Sequence, residues 1–205
     1  MSNLRLSGGE NYIPSAEIKE RVQELGAFYT DLYAGEPLVI ISLISGAARF
    51  AIHLAEAIKN QRVEEIFYRT RKMDGIRSSG GLFIDGVPDV NIKGRNVLVV
   101  EDMDHTRETL AGVSERLKGQ EPKRLDLACL LNNAESPKLV DTLPFDTINY
   151  AFETADVYSV GFGLDWDELY RNMLHISATR NIAGPGEREL LVPIVPDEYA
   201  VTARG

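Results

Sequence analysis

The densest chemistry in the chain lies between Glu101 and Thr109. Glu101 and Asp102 are adjacent carboxylates, His105 can carry a proton near neutral pH, and Thr106, Arg107 and Thr109 add hydroxyls and a cation. Paired acids can accept hydrogen bonds from sugar hydroxyls or ligate a metal, and His105 and Asp104 are the candidates for proton transfer. The acids follow Val97 to Val100, a continuous apolar run of the kind found in parallel strands buried on both faces. They therefore fall at the carboxyl end of a strand, where open α/β sheets place their ligands. Thr106 and Thr109 bracket a turn into the helical stretch Leu110 to Leu117, whose first N–H groups have no partner inside the helix and suit an anion. Hydroxyl-binding acids beside an anion site fit a sugar phosphate.

The elements that must position this segment are readable from periodicity. Pro14 to Tyr33 is expected to form a helix with Ser15 as N-cap and Ile18, Val22 and Leu25 on one face. Leu38 to Ile44 is a strand of β-formers, broken at Ser45-Gly46 and followed by a helix bearing Phe50, Leu54 and Ile58. Glu64 to Thr70 and Arg124 to Leu131 are further strands, and Val157 to Val160 is a short one closed by Gly161-Phe162-Gly163. Arg71 to Gly81 is a polar, glycine-bearing surface loop, Leu82 to Ile84 a hairpin edge, and Asp167 to Leu174 one or two helical turns. Alternating strands and helices predict an α/β fold, a mostly parallel sheet flanked by helices. Residues 178–205 carry Gly184-Pro185-Gly186 and Pro193, which fit an irregular tail with an added edge segment.

Composition narrows the function. The chain has 205 residues, 44% hydrophobic and 26% charged, enough for one well-cored domain. A net charge of −9 argues against general affinity for nucleic acid or anionic membranes. Cys129 is the only cysteine and lies in an apolar run, so it reads as a buried structural thiol, with no disulfide and no thiolate zinc site. His53 and His175 read as structural. No apolar stretch reaches membrane-span length and the N-terminus lacks a signal-peptide core, so a cytoplasmic location is expected.

The segment VLVVEDMDHTRETL resembles the phosphoribosyl pyrophosphate (PRPP) signature of type I phosphoribosyltransferases, VLIVEDIIDTGKTL, and most of all its hypoxanthine-guanine branch. The likeness runs from Ile13 to His175. It includes the amino-terminal helix and strand, Ser78-Ser79-Gly80 after the family's hood loop, and YSVGFGLDWDELYRNM beside the family's FVVGYGLDYAEKYRNL. It implies the type I fold with a small hood, a domain over residues 1–177 and a carboxyl-terminal extension over 178–205. It also implies transfer of the phosphoribosyl group of PRPP to a nitrogen base, with magnesium as cofactor and a homo-oligomeric assembly. By resemblance, Glu101 and Asp102 bind ribose hydroxyls and the turn from Asp104 to Thr109 cradles the 5′-phosphate. Tyr158 lies against the base, Asp165 meets magnesium with Glu101 and Asp102 as further candidates, and Arg171 meets pyrophosphate.

Among the departures from the family pattern, five places bear on the chemistry that the resemblance implies. The lysine of its Leu-Lys-Gly pyrophosphate loop is Ser45, beside the retained Gly46; the acid facing the base is His105; the signature's glycine is Arg107, followed by Glu108. The lysine that reads the purine's oxo group aligns with Asn133, which keeps a donor and an acceptor but no charge, and the hood's Ser-Tyr pair aligns with Arg71-Lys72. Glycine lets backbone approach phosphate closely, so Arg107 must point into the pocket or away from it. Arg71 and Lys72 can supply the cation missing at Ser45. Three functions remain open on these residues: a phosphoribosyltransferase with a purine-like or unusual acceptor, an enzyme on this scaffold that no longer uses PRPP and employs His105 as acid or base, and a non-catalytic nucleotide-binding regulator.

Overall fold

The computed structural model describes residues 12–60, 62–69, 91–155, 158–166, 168–181 and 191–193. In chain order the elements are β1 (Tyr12–Ile13), α1 (Ser15–Tyr33), β2 (Leu38–Ile44), α2 (Ala48–Ala57), β3 (Val63–Arg69), β4 (Asn96–Asp104), α3 (Glu108–Lys118), β5 (Arg124–Asn133), β6 (Thr147–Thr154), β7 (Ser159–Val160), β8 (Ile176–Asn181) and β9 (Leu191–Pro193).

Five strands form a parallel sheet in the order β3-β2-β4-β5-β6. The apolar runs of β2, β4 and β5 occupy its centre because both of their faces are covered. Ile40 and Leu98 pack with Leu25 and Tyr29 of α1 and with Phe50 and Leu54 of α2. Their neighbours Ile41 and Val99 face the other way, toward Leu110, Val113 and Leu117 of α3. Each such buried side chain contributes about 1.5–3 kcal/mol relative to exposure, so the three central strands are the rigid base of the molecule. A second, antiparallel sheet has β8 at its centre, paired with β1, β7 and β9.

Counted by first appearance, the parallel sheet has the order 2-1-3-4-5, so the winding direction reverses between β2 and β4. The chain leaves the carboxyl ends of these neighbours in opposite directions and opens a crevice there. Ser45 and Gly46 follow β2 on one side, and Glu101 and Asp102 lie near the carboxyl end of β4, which runs on to Asp104, on the other.

Several expectations need correction. The N-cap of α1 is Pro14, with no side-chain cap, and not Ser15. Its fixed φ of −66° pre-sets the entry to the helix without a capping hydroxyl. No helix forms among the described residues between 167 and 174: Glu168 and Tyr170 take φ values of 65° and 69°, incompatible with right-handed helix. An unanticipated strand, β6, forms the sheet edge. Its half-buried residues include Asn149 and Glu153, which break any apolar run, and buried Arg21 of α1 secures it by donating to the Ala151 and Tyr150 carbonyls, each at 3.0 Å. The predicted loop at 71–81, with Arg71 and Lys72, and the hairpin edge at 82–84 lie outside the described residues. Among those described, no helix is long and apolar enough to cross a membrane.

Candidate active site

The crevice is closed at its base by contacts that only small residues allow. A Cβ on Gly46 would lie 1.5 Å from Asp102 Oδ2, and one on Gly163 (φ 108°) would lie 2.3 Å from the Gly46 carbonyl oxygen. The β2 turn, the end of β4 and the turn after β7 therefore converge on one point. The Ile44–Ser45 peptide at the end of β2 is cis.

Glu101 is 8% exposed, and its Oε1 accepts the Asp102 N–H at 2.9 Å. Burial, reinforced by the Asp102 charge, raises the Glu101 carboxyl well above the ordinary carboxylate range. Burial also raises half-buried Asp102. A proton is thus retained on this pair more readily than on surface acids, which suits groups that hydrogen-bond sugar hydroxyls.

Asp102 also lines a cavity of about 340 Å³ with His105, Asn133, Tyr158 and Asp165. Tyr158 is 48% exposed and held edge-on by Trp166, with ring centroids 5.0 Å apart. Asn133 is buried, and its Oδ1 accepts the Ser136 N–H at 3.0 Å, which orients the amide. An aromatic face, a fixed amide and an imidazole around one cavity suit a flat heterocycle.

A second cavity, of about 480 Å³, is lined by Ser45, Arg49, His53, Gly163 and Arg171 among others. Arg171 links the two: its Nη2 lies 2.9 Å from Asp165 Oδ1 and its Nη1 donates to the Gly163 carbonyl at 2.8 Å. Two guanidinium groups lining one cavity suit a polyanion. Arg49 escaped the sequence reading. The signal was a cation in the first turn of the helix after Ser45-Gly46, visible only once that helix is placed at the crevice.

The turn from β4 to α3 has a different construction. Arg107 is the N-cap residue of α3 with φ 68°, the left-handed region that costs an L residue roughly 1–2 kcal/mol. Its side chain leads away from the 340 Å³ cavity: Nε donates to Asp104 Oδ2 (3.3 Å) and Nη1 to the Asp141 carbonyl (2.7 Å). The Asp104 carboxylate does not reach that cavity either. It is fully buried and accepts the Tyr150 hydroxyl at 2.6 Å, and Tyr150 is pushed up by burial and by this bond, so it remains a donor. The Thr106 hydroxyl donates to Glu108 at 3.2 Å, and Thr109 lies in the first turn of α3. Cys129 is buried and burial pushes its thiol up, in keeping with a structural role. His175 is buried too, which lowers its imidazole, and His53 stacks on Phe162 at 5.5 Å.

Residues 10–167 match the model of the phosphoribosyl transferase domain. The chain is 30% identical to the hypoxanthine phosphoribosyltransferase of Escherichia coli K12, covering 82% of this chain and 93% of that protein. It is 32% identical to the hypoxanthine-guanine phosphoribosyltransferase of Aquifex aeolicus, over 77% and 86%. Among solved structures, a hypoxanthine-guanine phosphoribosyltransferase from Bacillus anthracis superposes with a TM-score of 0.71 at 29% identity, over 87% of this chain and 96% of that one. With its parallel five-strand sheet flanked by helices, the chain belongs to the type I phosphoribosyltransferases, on the hypoxanthine-guanine branch.

Proposed function

We propose that this phosphoribosyltransferase moves the phosphoribosyl group of PRPP to a ring nitrogen of a purine-like base, releasing pyrophosphate. One observation carries the reading: the aromatic and amide-lined cavity, which holds Asp102, and the arginine-lined cavity are joined through the Asp165–Arg171 ion pair. A base in the first and a pyrophosphate in the second would put C1 of a ribose between them, over Glu101 and Asp102. The C1–oxygen bond to pyrophosphate breaks as the nitrogen–C1 bond forms, through an oxocarbenium-like state that in-line placement favours. His105, in the base cavity, receives the proton that the base nitrogen loses. Arg171 and Arg49 bind the departing pyrophosphate, and the helix-end turn at Thr106 to Thr109 holds the 5′-phosphate.

The carboxylates fit magnesium. Asp102 and Asp165 line one cavity, and the described residues contain no cluster of three or more potential metal ligands. Magnesium would therefore rest on Asp165, with Glu101 or Asp102, and on substrate oxygens, its usual habit. When bound, it neutralises charge on the pyrophosphate. The same reading makes the protein a cytoplasmic homo-oligomer whose catalytic domain ends near residue 177, with an extension from 178.

Asn133 supports a base preference distinct from relatives with lysine there, because its amide is a neutral partner. The test is magnesium-dependent pyrophosphate release from PRPP with hypoxanthine, guanine, xanthine and adenine as acceptors. Release with at least one purine is expected, and Asn133→Lys should change the ratio of kcat/KM between two purines by about tenfold. No release with any base, together with no calorimetric binding of PRPP, overturns the proposal.

A further inference from the structure

Two departures from the family signature meet in space. Where the motif VLIVEDIIDTGKTL has isoleucine and glycine, this chain has Asp104 and Arg107, and the two side chains are ion-paired at 3.3 Å. Around them a segment after β5 grips the turn. Lys138 Nζ donates to the main-chain oxygens of Asp104 (2.8 Å) and His105 (2.9 Å), and to Asn132 Oδ1 (3.3 Å). It also lies 3.4 Å from Asp104 Oδ1. The Leu139 N–H donates to the Thr106 carbonyl at 3.1 Å, and the Asp141 carbonyl accepts Arg107 Nη1.

Three successive carbonyls, of Asp104, His105 and Thr106, are thus turned toward residues 138 and 139. In a trans peptide the C=O and the following N–H point in opposite directions. The N–H groups of Thr106 and Arg107 must therefore face away from that segment. Such a run of aligned N–H groups beside a helix N-terminus is an anion nest. Locally, Arg107 and Lys138 offset the charges of buried Asp104 and exposed Glu108, whose carboxylate accepts the Thr106 hydroxyl.

From this we infer that Lys138 and Asp104 are positioning residues that preset the 5′-phosphate turn, doing by a wired Arg107 what glycine does by conformational freedom. Lys138 holds the carbonyls, Asp104 holds Arg107, and Tyr150 holds Asp104. Neither Lys138 nor Asp104 touches the reacting atoms. The inference rests on the phosphoribosyltransferase reading for the identity of its anion, a phosphate monoester on ribose.

The test uses the full chain and two readouts: calorimetric binding of ribose 5-phosphate, and steady-state kinetics with PRPP. Lys138→Met should weaken ribose 5-phosphate binding and raise the KM for PRPP by about tenfold, the size of one charge-assisted hydrogen bond. The KM for the base and kcat should change by less than about twofold. Lys138→Arg should recover most of the loss. Asp104→Asn should act in the same direction, and Asp104→Ile combined with Arg107→Gly, which restores the family pair, should bind better than Asp104→Ile alone. Unchanged ribose 5-phosphate binding in Lys138→Met, or an equal rise in the KM of both substrates, overturns the positioning role. So does absence of ribose 5-phosphate binding by the unaltered protein. If no base is phosphoribosylated yet ribose 5-phosphate binds in a Lys138-dependent way, the positioning role stands and the catalytic proposal falls.

Discussion

The two turns at the switch point, Ser45-Gly46 after β2 and Asp104 to Arg107 at the end of β4, treat glycine differently. At Gly46 the need is for space, since any Cβ would overlap the Asp102 carboxylate. At Arg107 the need is for a left-handed φ, and the space around the residue is open enough for a guanidinium to run out to Asp104 and Asp141. A requirement for space has no chemical substitute, whereas a conformational cost of roughly 1–2 kcal/mol can be offset by an ion pair and hydrogen bonds. This is why one glycine of the family pattern survives and the other is replaced. It also resolves the direction of Arg107, which sequence left open.

The contrast can be broken most directly at Gly46. Gly46→Ala should lower kcat/KM by about 100-fold or more, because the Asp102 carboxyl must swing aside to relieve the overlap. Thermal melting should move far less than activity, since no backbone need shift; a variant within threefold of full activity would sink the space argument. Arg107→Gly should have a smaller effect, roughly a fivefold rise in the KM for PRPP, because glycine keeps the φ and loses the ion pair. An effect equal to that of Gly46→Ala would erase the distinction between the two turns.

Ser45→Lys restores the family's residue and should change kcat/KM by less than about threefold, because Arg49 and Arg171 already furnish that cavity with cations. A large gain would mean that Arg49 does not serve the site. The last prediction concerns Glu101, which stands between the turns. Its carboxyl is raised in the folded protein, so its contribution to stability is full below the ordinary glutamate range and is lost as pH rises through the raised folded value. Glu101→Gln removes that loss. Melting temperatures of the two proteins should diverge in favour of the variant as pH increases, and parallel curves would contradict the burial argument.

Sequence periodicity located most of the scaffold because each signal was local. Leu38 to Ile44 is β2 residue for residue, and the run at Val97 lies inside β4. The edge strand β6 was illegible because one face is only half-covered, so Asn149 and Glu153 interrupt the apolar pattern. Asp167 to Leu174 is expected to form one or two helical turns, but among its described residues the left-handed Glu168 and Tyr170 fold it into turns that bring Arg171 to Asp165. Within the site, the strand end and the motifs bring out Asp102, His105, Asn133, Tyr158 and Asp165, which line one cavity, and Arg171, which lines the other. Arg49 and Lys138 are recognisable only once the fold places the start of α2 and the segment after β5 beside the site.

What the sequence by itself determined is the order of strands and helices and the chemistry delivered to the carboxyl ends of β2 and β4. Apolar period and motif spacing are properties of neighbouring residues, and they survive without knowledge of the rest of the chain. Only the tertiary structure decided which way the turn residues point and which acids are raised above the ordinary carboxylate range. Asp104 turns inward because Tyr150 donates to it there and Lys138 pairs with it, both distant in sequence, and the Glu101 carboxyl is raised because the packed sheet withholds water.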